Sequence, residues 1–269
     1  MSFSLAGKTA IITGAANGVG LAIARHFVRE GVQVMMADMN EEKLITEISA
    51  LTSDETKPKF FAGDLRQRLT QANLISATID EFERIDILVN ASRQVLHSNP
   101  LDPDEDEFEN LMEQNVVTAL RLTQLVAKRM MKQAEDEPGD NASIGNIVNL
   151  SSIVGRRAHP DLMAFSISSA ALDQMTRAMA VALAEHRIRV NAVAIGSVMS
   201  ASLRNALKDN VELRGLVAKA TPLGYIGEAA EVVEAVQYLA SEASSFVTGQ
   251  ILTVDGGRTL IDPVSVAAH

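Results

Sequence analysis

The 269-residue chain contains no cysteine and no tryptophan, and it has two tyrosines, Tyr225 and Tyr238. Without cysteine there is no disulfide framework, no thiol nucleophile and no thiolate metal site. Its five histidines are scattered with no metal-ligand spacing. Basic residues are outnumbered, with 24 Lys and Arg against 34 Asp and Glu, for a net charge of −10. That balance argues against a nucleic-acid partner, which calls for a basic face. No run approaches the ~18 apolar residues of a membrane span. The opening Met-Ser-Phe-Ser-Leu-Ala-Gly lacks the charged and apolar regions of a signal peptide. A cytoplasmic protein with no membrane partner is the expectation.

What is present reads as one large domain, residues 1–269, long enough to bury a core, with 47% hydrophobic and 22% charged residues. Apolar β-branched runs at 8–12, 32–37, 59–62, 85–89, 145–150, 187–193 and 251–254 predict strands. Several are continuously apolar, as in strands covered by helices on both faces. Helical patterns fill 19–30, 41–51, 69–83, 104–133, 161–185, 201–219 and 229–241, the fourth broken near Gln114. Asp102-Pro103-Asp104-Glu105 predicts a helix start: a capping Asp, Pro in the first turn and Glu at the third position. The acidic segment 133–143, which contains Pro and Gly, reads as a surface loop. Repeated β-α-β units with right-handed crossovers predict a doubly wound α/β fold of Rossmann type: a seven-stranded, mainly parallel sheet with helices on both faces.

The first strand runs into Thr13-Gly14-Ala15-Ala16-Asn17-Gly18-Val19-Gly20 and then a helix. Small residues let the backbone turn tightly and approach a pyrophosphate, to which the helix N-terminus offers free N–H groups. Asp38 lies at the end of the next strand, eighteen positions past Gly20, where a carboxylate binds the ribose hydroxyls of NAD. It would repel the extra phosphate of NADP, and Met39 and Asn40 supply no cation to offset that. The alternative is that Asp38 caps the helix beginning near Glu41.

The spacing Thr-Gly-x-x-x-Gly-x-Gly, together with Asn90, Asn115, Ser152, the segment 164–172, Asn191-Ala-Val-Ala-Ile195-Gly196-Ser-Val198-Met-Ser200 and Val247-Thr-Gly-Gln-Ile-Leu-Thr-Val-Asp255-Gly-Gly257, resembles the short-chain dehydrogenase/reductase family over residues 5–257. The resemblance implies a nicotinamide-dependent oxidoreductase. It assigns adenine contacts to Asp64 and Leu65, although Asp64 also reads as a solvated strand-end carboxylate. It implies that Val198 offers its backbone to the carboxamide and that Ser200 replaces a Thr hydroxyl. Asn17 occupies a place where NADP-preferring relatives often carry a basic residue, which again favours NAD. Residues 201–219 match the substrate lid. Only Asn90 remains of the usual Asn-Asn-Ala-Gly. Arg93 replaces a glycine that lets the backbone pass beside the cofactor, so its side chain must point away or intrude. Ile195 replaces a proline, which implies a less rigid loop. Relatives assemble through helices corresponding to 118–133 and 161–185, which implies a dimer or tetramer, or a pairing with an active relative.

The resemblance also locates the catalytic positions. Asn115 matches the residue that bends a helix and holds a proton-relaying water. Ser152 matches the serine that orients the substrate oxygen. Thirteen positions later the family has Tyr-x-x-x-Lys, and this chain has Phe165-Ser-Ile-Ser-Ser169. Phenylalanine has no proton to transfer, and Ser169 is short and uncharged. His159 lies between Ser152 and Phe165 and titrates in a suitable range, so it is a candidate substitute, with a solvated loop histidine as the bland alternative. Arg156 and Arg157 could bind an anion or simply be solvated. Met163, Met175 and Met179 read as core or subunit contacts, and Tyr238 as core. The expectation is a family member that binds NAD(H) but lacks the usual proton transfer. An oxidoreductase with another proton donor and a non-catalytic subunit are the alternatives.

Overall fold

The structure is a computed structural model that describes residues 2–51, 57–136, 143–196, 198–199, 203–204, 207 and 211–262. Strand β1 (Thr9–Thr13) leads to helix α1 (Gly18–Arg29), β2 (Gln33–Asp38), α2 (Glu41–Ala50), β3 (Lys59–Ala62), α3 (Arg68–Phe82) and β4 (Ile87–Asn90). Helix α4 (Phe108–Met112) runs through a wide π turn (Glu113–Val117) into α5 (Thr118–Asp136). Strand β5 (Gly145–Ser152), α6 (Met163–Ala184), β6 (Ile188–Ile195), α7 (Val211–Lys219), α8 (Ala229–Ala240) and β7 (Ile251–Val254) follow. The strand order is β3-β2-β1-β4-β5-β6-β7, and every neighbouring pair is parallel.

The two-residue period of the strands divides the core into two layers. Ala10, Ile12, Val148, Leu150, Val193 and Ile195 face one side, where α1 and α8 contribute Ile23, Phe27, Val232 and Val236. Ile11, Leu88, Ile147 and Val190 face the other, against Leu74 of α3, Leu122 and Val126 of α5 and Leu183 of α6. Both faces are therefore buried, which is why these strands read as continuous apolar runs. In α1 the buried Val19, Ile23, Phe27 and Val28 share one helical stripe.

Three local expectations are corrected. The helix predicted from residue 104 begins at Phe108. The Asp102 carboxylate accepts from the Asp104 N–H, and its carbonyl accepts from the Glu105 N–H, so it closes a turn and caps no helix. Glu107 follows with φ +56, a left-handed conformation that interrupts any helix running through it. Strand β6 runs to Ile195, paired with Val254, two residues past its predicted end; isoleucine keeps the backbone N–H that a proline there would lack. Helix α5 continues to Asp136, so the loop expected from 133 starts later, and 137–142 lie outside the described residues. Of the segment 201–219, α7 forms the last part; Ser200 and residues 201–202, 205–206 and 208–210 lie outside the described residues. Among the described residues no helix is long and apolar enough to cross a membrane.

Candidate functional site

The sheet order reverses between β1 and β4, and a crevice opens beyond their carboxyl ends, where doubly wound sheets bind ligands. Close backbone packing shapes it. Gly14 has φ +66, and a Cβ there would lie 2.8 Å from the Ser92 Cα. A Cβ on Gly20 would lie 2.3 Å from the Gly14 carbonyl oxygen. Gly18 begins α1 with φ +58. Asn17 precedes α1 in extended conformation, and its side chain makes no capping bond, so no capping side chain claims the first-turn N–H groups. Val19 is buried in the core and anchors the loop. Thr13 Oγ1 accepts from the N–H groups of Ala91 and Ser92, both at 3.0 Å, and so ties the end of β4 to the end of β1.

Asp38 completes the outer rim. One carboxylate oxygen accepts from the Ala16 N–H at 3.1 Å and the other from the Asn40 N–H at 3.0 Å. Helix α2 is capped by Asn40, whose side chain accepts from the Lys43 N–H, so that role is not left to Asp38. Gly14, Asn17, Gly18, Val19, Gly20 and Asp38 line a cleft of about 240 Å³ that also reaches Arg93. Positions that would collide with a Cβ, beside a helix N-terminus, fit the pyrophosphate of a dinucleotide.

The other cofactor-end residues divide. The Asp64 carboxylate is held by the Arg66 guanidinium through two hydrogen-bonding nitrogens, which lowers its pKa. Leu65 is buried in the core, and its carbonyl accepts from Gln71. Neither lines the cleft. Asn90 donates to Thr123 Oγ1 and to Asn149 Oδ1, and Asn149 donates to Thr176 Oγ1. This buried ladder joins β4, α5, β5 and α6. Sequence reading missed Thr123, Asn149 and Thr176; the available signal was polar residues within otherwise apolar periodic runs. Gly196 packs against Asp255, where a Cβ would lie 2.5 Å from that side chain. Val198 pairs with Gly227 and lines a separate recess of about 600 Å³ with Tyr225 and Asp255, which holds none of the glycine-loop residues.

Beyond the inner end of the cleft lies a chamber almost completely filled, with about 10 Å³ remaining, walled by Asn90, Asn115, Phe165, Ser168 and Ser169. Arg93 resolves the choice left open by the sequence: it intrudes. Its Nη1 donates to the Ser151 carbonyl at 3.1 Å, and its guanidinium lies 6.0 Å from the Phe165 ring centroid, within range of cation–π attraction. Burial pushes its pKa down to about 10. Phe165 is buried among Leu111, Ala164 and Phe108. The Ser168 and Ser169 hydroxyls both donate to the Phe165 carbonyl, at 3.1 and 2.7 Å.

Asn115 sits in the π turn, where Thr118 Oγ1 reaches back to the Glu113 carbonyl. Its amide grips the Gln94 backbone at both ends, accepting at 2.8 Å and donating at 3.0 Å, and also donates to Ser168. Gln94 is a partner that sequence reading did not identify. Ser152 donates to the Ile195 carbonyl at 3.4 Å and accepts from the Val154 N–H. His159 is not brought to the chamber. Its side chain is 60% exposed and accepts from the Asp161 N–H, capping a short 3₁₀ turn. Arg156 donates to Thr253 and lies 4.0 Å from Asp173, and Arg157 donates to the Thr259 carbonyl. Asp173 is buried on α6, and burial raises its pKa, against the hydrogen bond from Ser151 and the charge of Arg156.

Residues 14–259 match the family model described as enoyl-(acyl carrier protein) reductase. An uncharacterized oxidoreductase of Thermotoga maritima is 32% identical over 95% of this chain and 98% of its own length. The 7alpha-hydroxysteroid dehydrogenase of Bacteroides fragilis is 34% identical over 95% and 96%. The solved structure of a short-chain type dehydrogenase/reductase from Mycobacterium ulcerans superposes with a TM-score of 0.86 at 26% identity, covering 96% of this chain and 91% of that one. With the glycine loop, the switch-point cleft and the seven-stranded sheet, these matches establish that the chain belongs to the short-chain dehydrogenase/reductase family of oxidoreductases.

Proposed function

We propose that this chain binds NAD(H) in preference to NADP(H) and does not run the Tyr–Lys proton transfer of its relatives. The observation that carries this reading is the contrast between the two ends of one site. At the outer end the cleft keeps its glycine loop and Asp38. At the inner end no phenol, imidazole or carboxyl group is among the described residues lining the chamber.

A bound nicotinamide dinucleotide would supply or accept the hydride. The residues of this chain would do the rest. The first turn of α1 would hold the pyrophosphate. The Asp38 carboxylate already accepts two backbone N–H groups, but a carboxylate has about four lone-pair sites, which leaves capacity for ribose hydroxyls. Asp38 would also repel a 2′-phosphate, with Met39 and Asn40 offering no offsetting charge. A carbonyl being reduced needs a proton on the developing alkoxide, and loss of a positioned acid typically costs ~10²–10⁴ in rate. The exposed, turn-capping position of His159 supports absence of a substitute donor. Calorimetric titration of NADH and NADPH into the protein, with Asp38→Ala as control, tests the reading. The expected result is NADH binding that Asp38→Ala weakens and weaker binding of NADPH; no binding of either nucleotide would refute it.

A further inference from the structure

Withdrawing a cation even partly from water costs free energy unless partners take up its hydrogen-bonding groups. The Arg93 side chain is half-buried at the junction of cleft and chamber. Its described partners are one neutral carbonyl, Ser151, and one ring face, Phe165. A planar guanidinium has five N–H donors, and the Ser151 carbonyl engages Nη1 alone. Among the described residues, no carboxylate lines either space beside it except Asp38, which belongs to the outer rim and is engaged with Ala16 and Asn40. The chamber has no room left for a counter-ion, so a partner must approach from the cleft. The cleft thus offers an acceptor for hydroxyl groups at Asp38 and donors at Arg93.

We propose that Arg93 is the anchoring cation of the inner end of the cleft, where it binds an oxygen acceptor of the ligand. Two sources share that chemistry: a hydroxyl of the nicotinamide-side ribose, and a carboxylate of the substrate. The ribose source rests on the dinucleotide reading above; the carboxylate source does not. Phe165 supports the guanidinium from behind, and Ser169, being small and neutral, leaves it space. Arg93 is therefore a specificity-determining residue brought to this site from the β4 loop.

The test is calorimetry of wild type, Arg93→Gln and Arg93→Lys with three probes: ADP, NADH and malonate. ADP reaches the glycine loop and Asp38 but has no nicotinamide-side ribose. Arg93→Gln removes the charge and leaves a shorter, polar side chain, and thermal melting verifies that it folds. If the ribose is the source, Arg93→Gln weakens NADH about tenfold and leaves ADP unchanged. If a carboxylate is the source, Arg93→Gln abolishes malonate binding, to the free protein or its NADH complex, while NADH and ADP hold. In either case Arg93→Lys recovers part of the loss. Equal NADH and malonate binding in wild type and Arg93→Gln would overturn the proposal. So would tighter NADH binding in the variant, or a wild type that binds malonate not at all and NADH no better than ADP. Wild type that binds neither ADP nor NADH refutes the dinucleotide reading instead, and malonate then decides the role of Arg93.

Discussion

Arg93 and Ser169 share one chamber: the guanidinium lies over the Phe165 ring, and the Ser169 hydroxyl donates to the Phe165 carbonyl four residues back in α6. The three side chains form one packing unit. A long cationic side chain at 169 and the arginine at 93 would compete for the same volume, and their charges would repel.

Placing lysine at 169 alone should therefore harm the fold. Ser169→Lys is expected to destabilise the protein by about 1–3 kcal/mol from overpacking, with like-charge repulsion adding to it. In an Arg93→Gly background the same substitution should cost much less. Denaturant titration of the four proteins closes the cycle. Additive effects would show that 93 and 169 do not share space.

The glycine loop makes a second, opposed pair of predictions. Gly20→Ala puts a methyl 2.3 Å from the Gly14 carbonyl oxygen, so backbone must shift, at an expected cost of about 1–3 kcal/mol together with weaker dinucleotide binding. Gly215 sits in α7 with nothing within 4 Å of its Cβ position. Gly215→Ala should raise stability by about 0.5–1 kcal/mol. Melting temperatures of the two variants moving in the same direction would contradict this account.

Asp173 gives a pH signature. Its pKa is raised in the folded state, chiefly by burial, and one carboxylate oxygen has no hydrogen-bond partner. Below the ordinary value of 3.8 the group is protonated in both folded and unfolded chains and has no effect. As pH rises through the raised folded value, the unfolded chain releases its proton more readily, and stability is lost. Asp173→Asn, neutral throughout, should match wild type in acid and exceed it increasingly toward neutral pH. Urea unfolding at pH 4, 5.5 and 7 measures the difference; a wild-type advantage that grows with pH would show that the pair with Arg156 dominates instead.

Much of this fold is visible along the chain. Strands buried on both faces must be apolar throughout, so β1, β2, β4 and β6 declare themselves. The glycine loop and Asp38 do so as well, because a close backbone approach admits only glycine, and a strand end fixes where a carboxylate is presented. Asp102-Pro103-Asp104-Glu105 satisfies the local rules for a helix cap, yet α4 begins only at Phe108. The turn at Asn99–Glu105 and the left-handed Glu107 override those rules. His159 lies close in sequence to both Ser152 and Phe165, but its loop turns it to the surface.

The sequence by itself determined the alternation of strands and helices, the glycine loop with Asp38 at the end of the next strand, and the identities of Phe165 and Ser169. Each of these is a property of short segments: periodicity, backbone freedom, or the identity of one side chain. Only the tertiary structure decided where Arg93 goes. Its position depends on the volume left by Phe165 and Ser169, which are remote from it along the chain, and on the Ser151 carbonyl at the end of β5. Parallel pairing of β4 with β5, and the packing of α6 beside them, bring those groups together. No local pattern around residue 93 encodes that space.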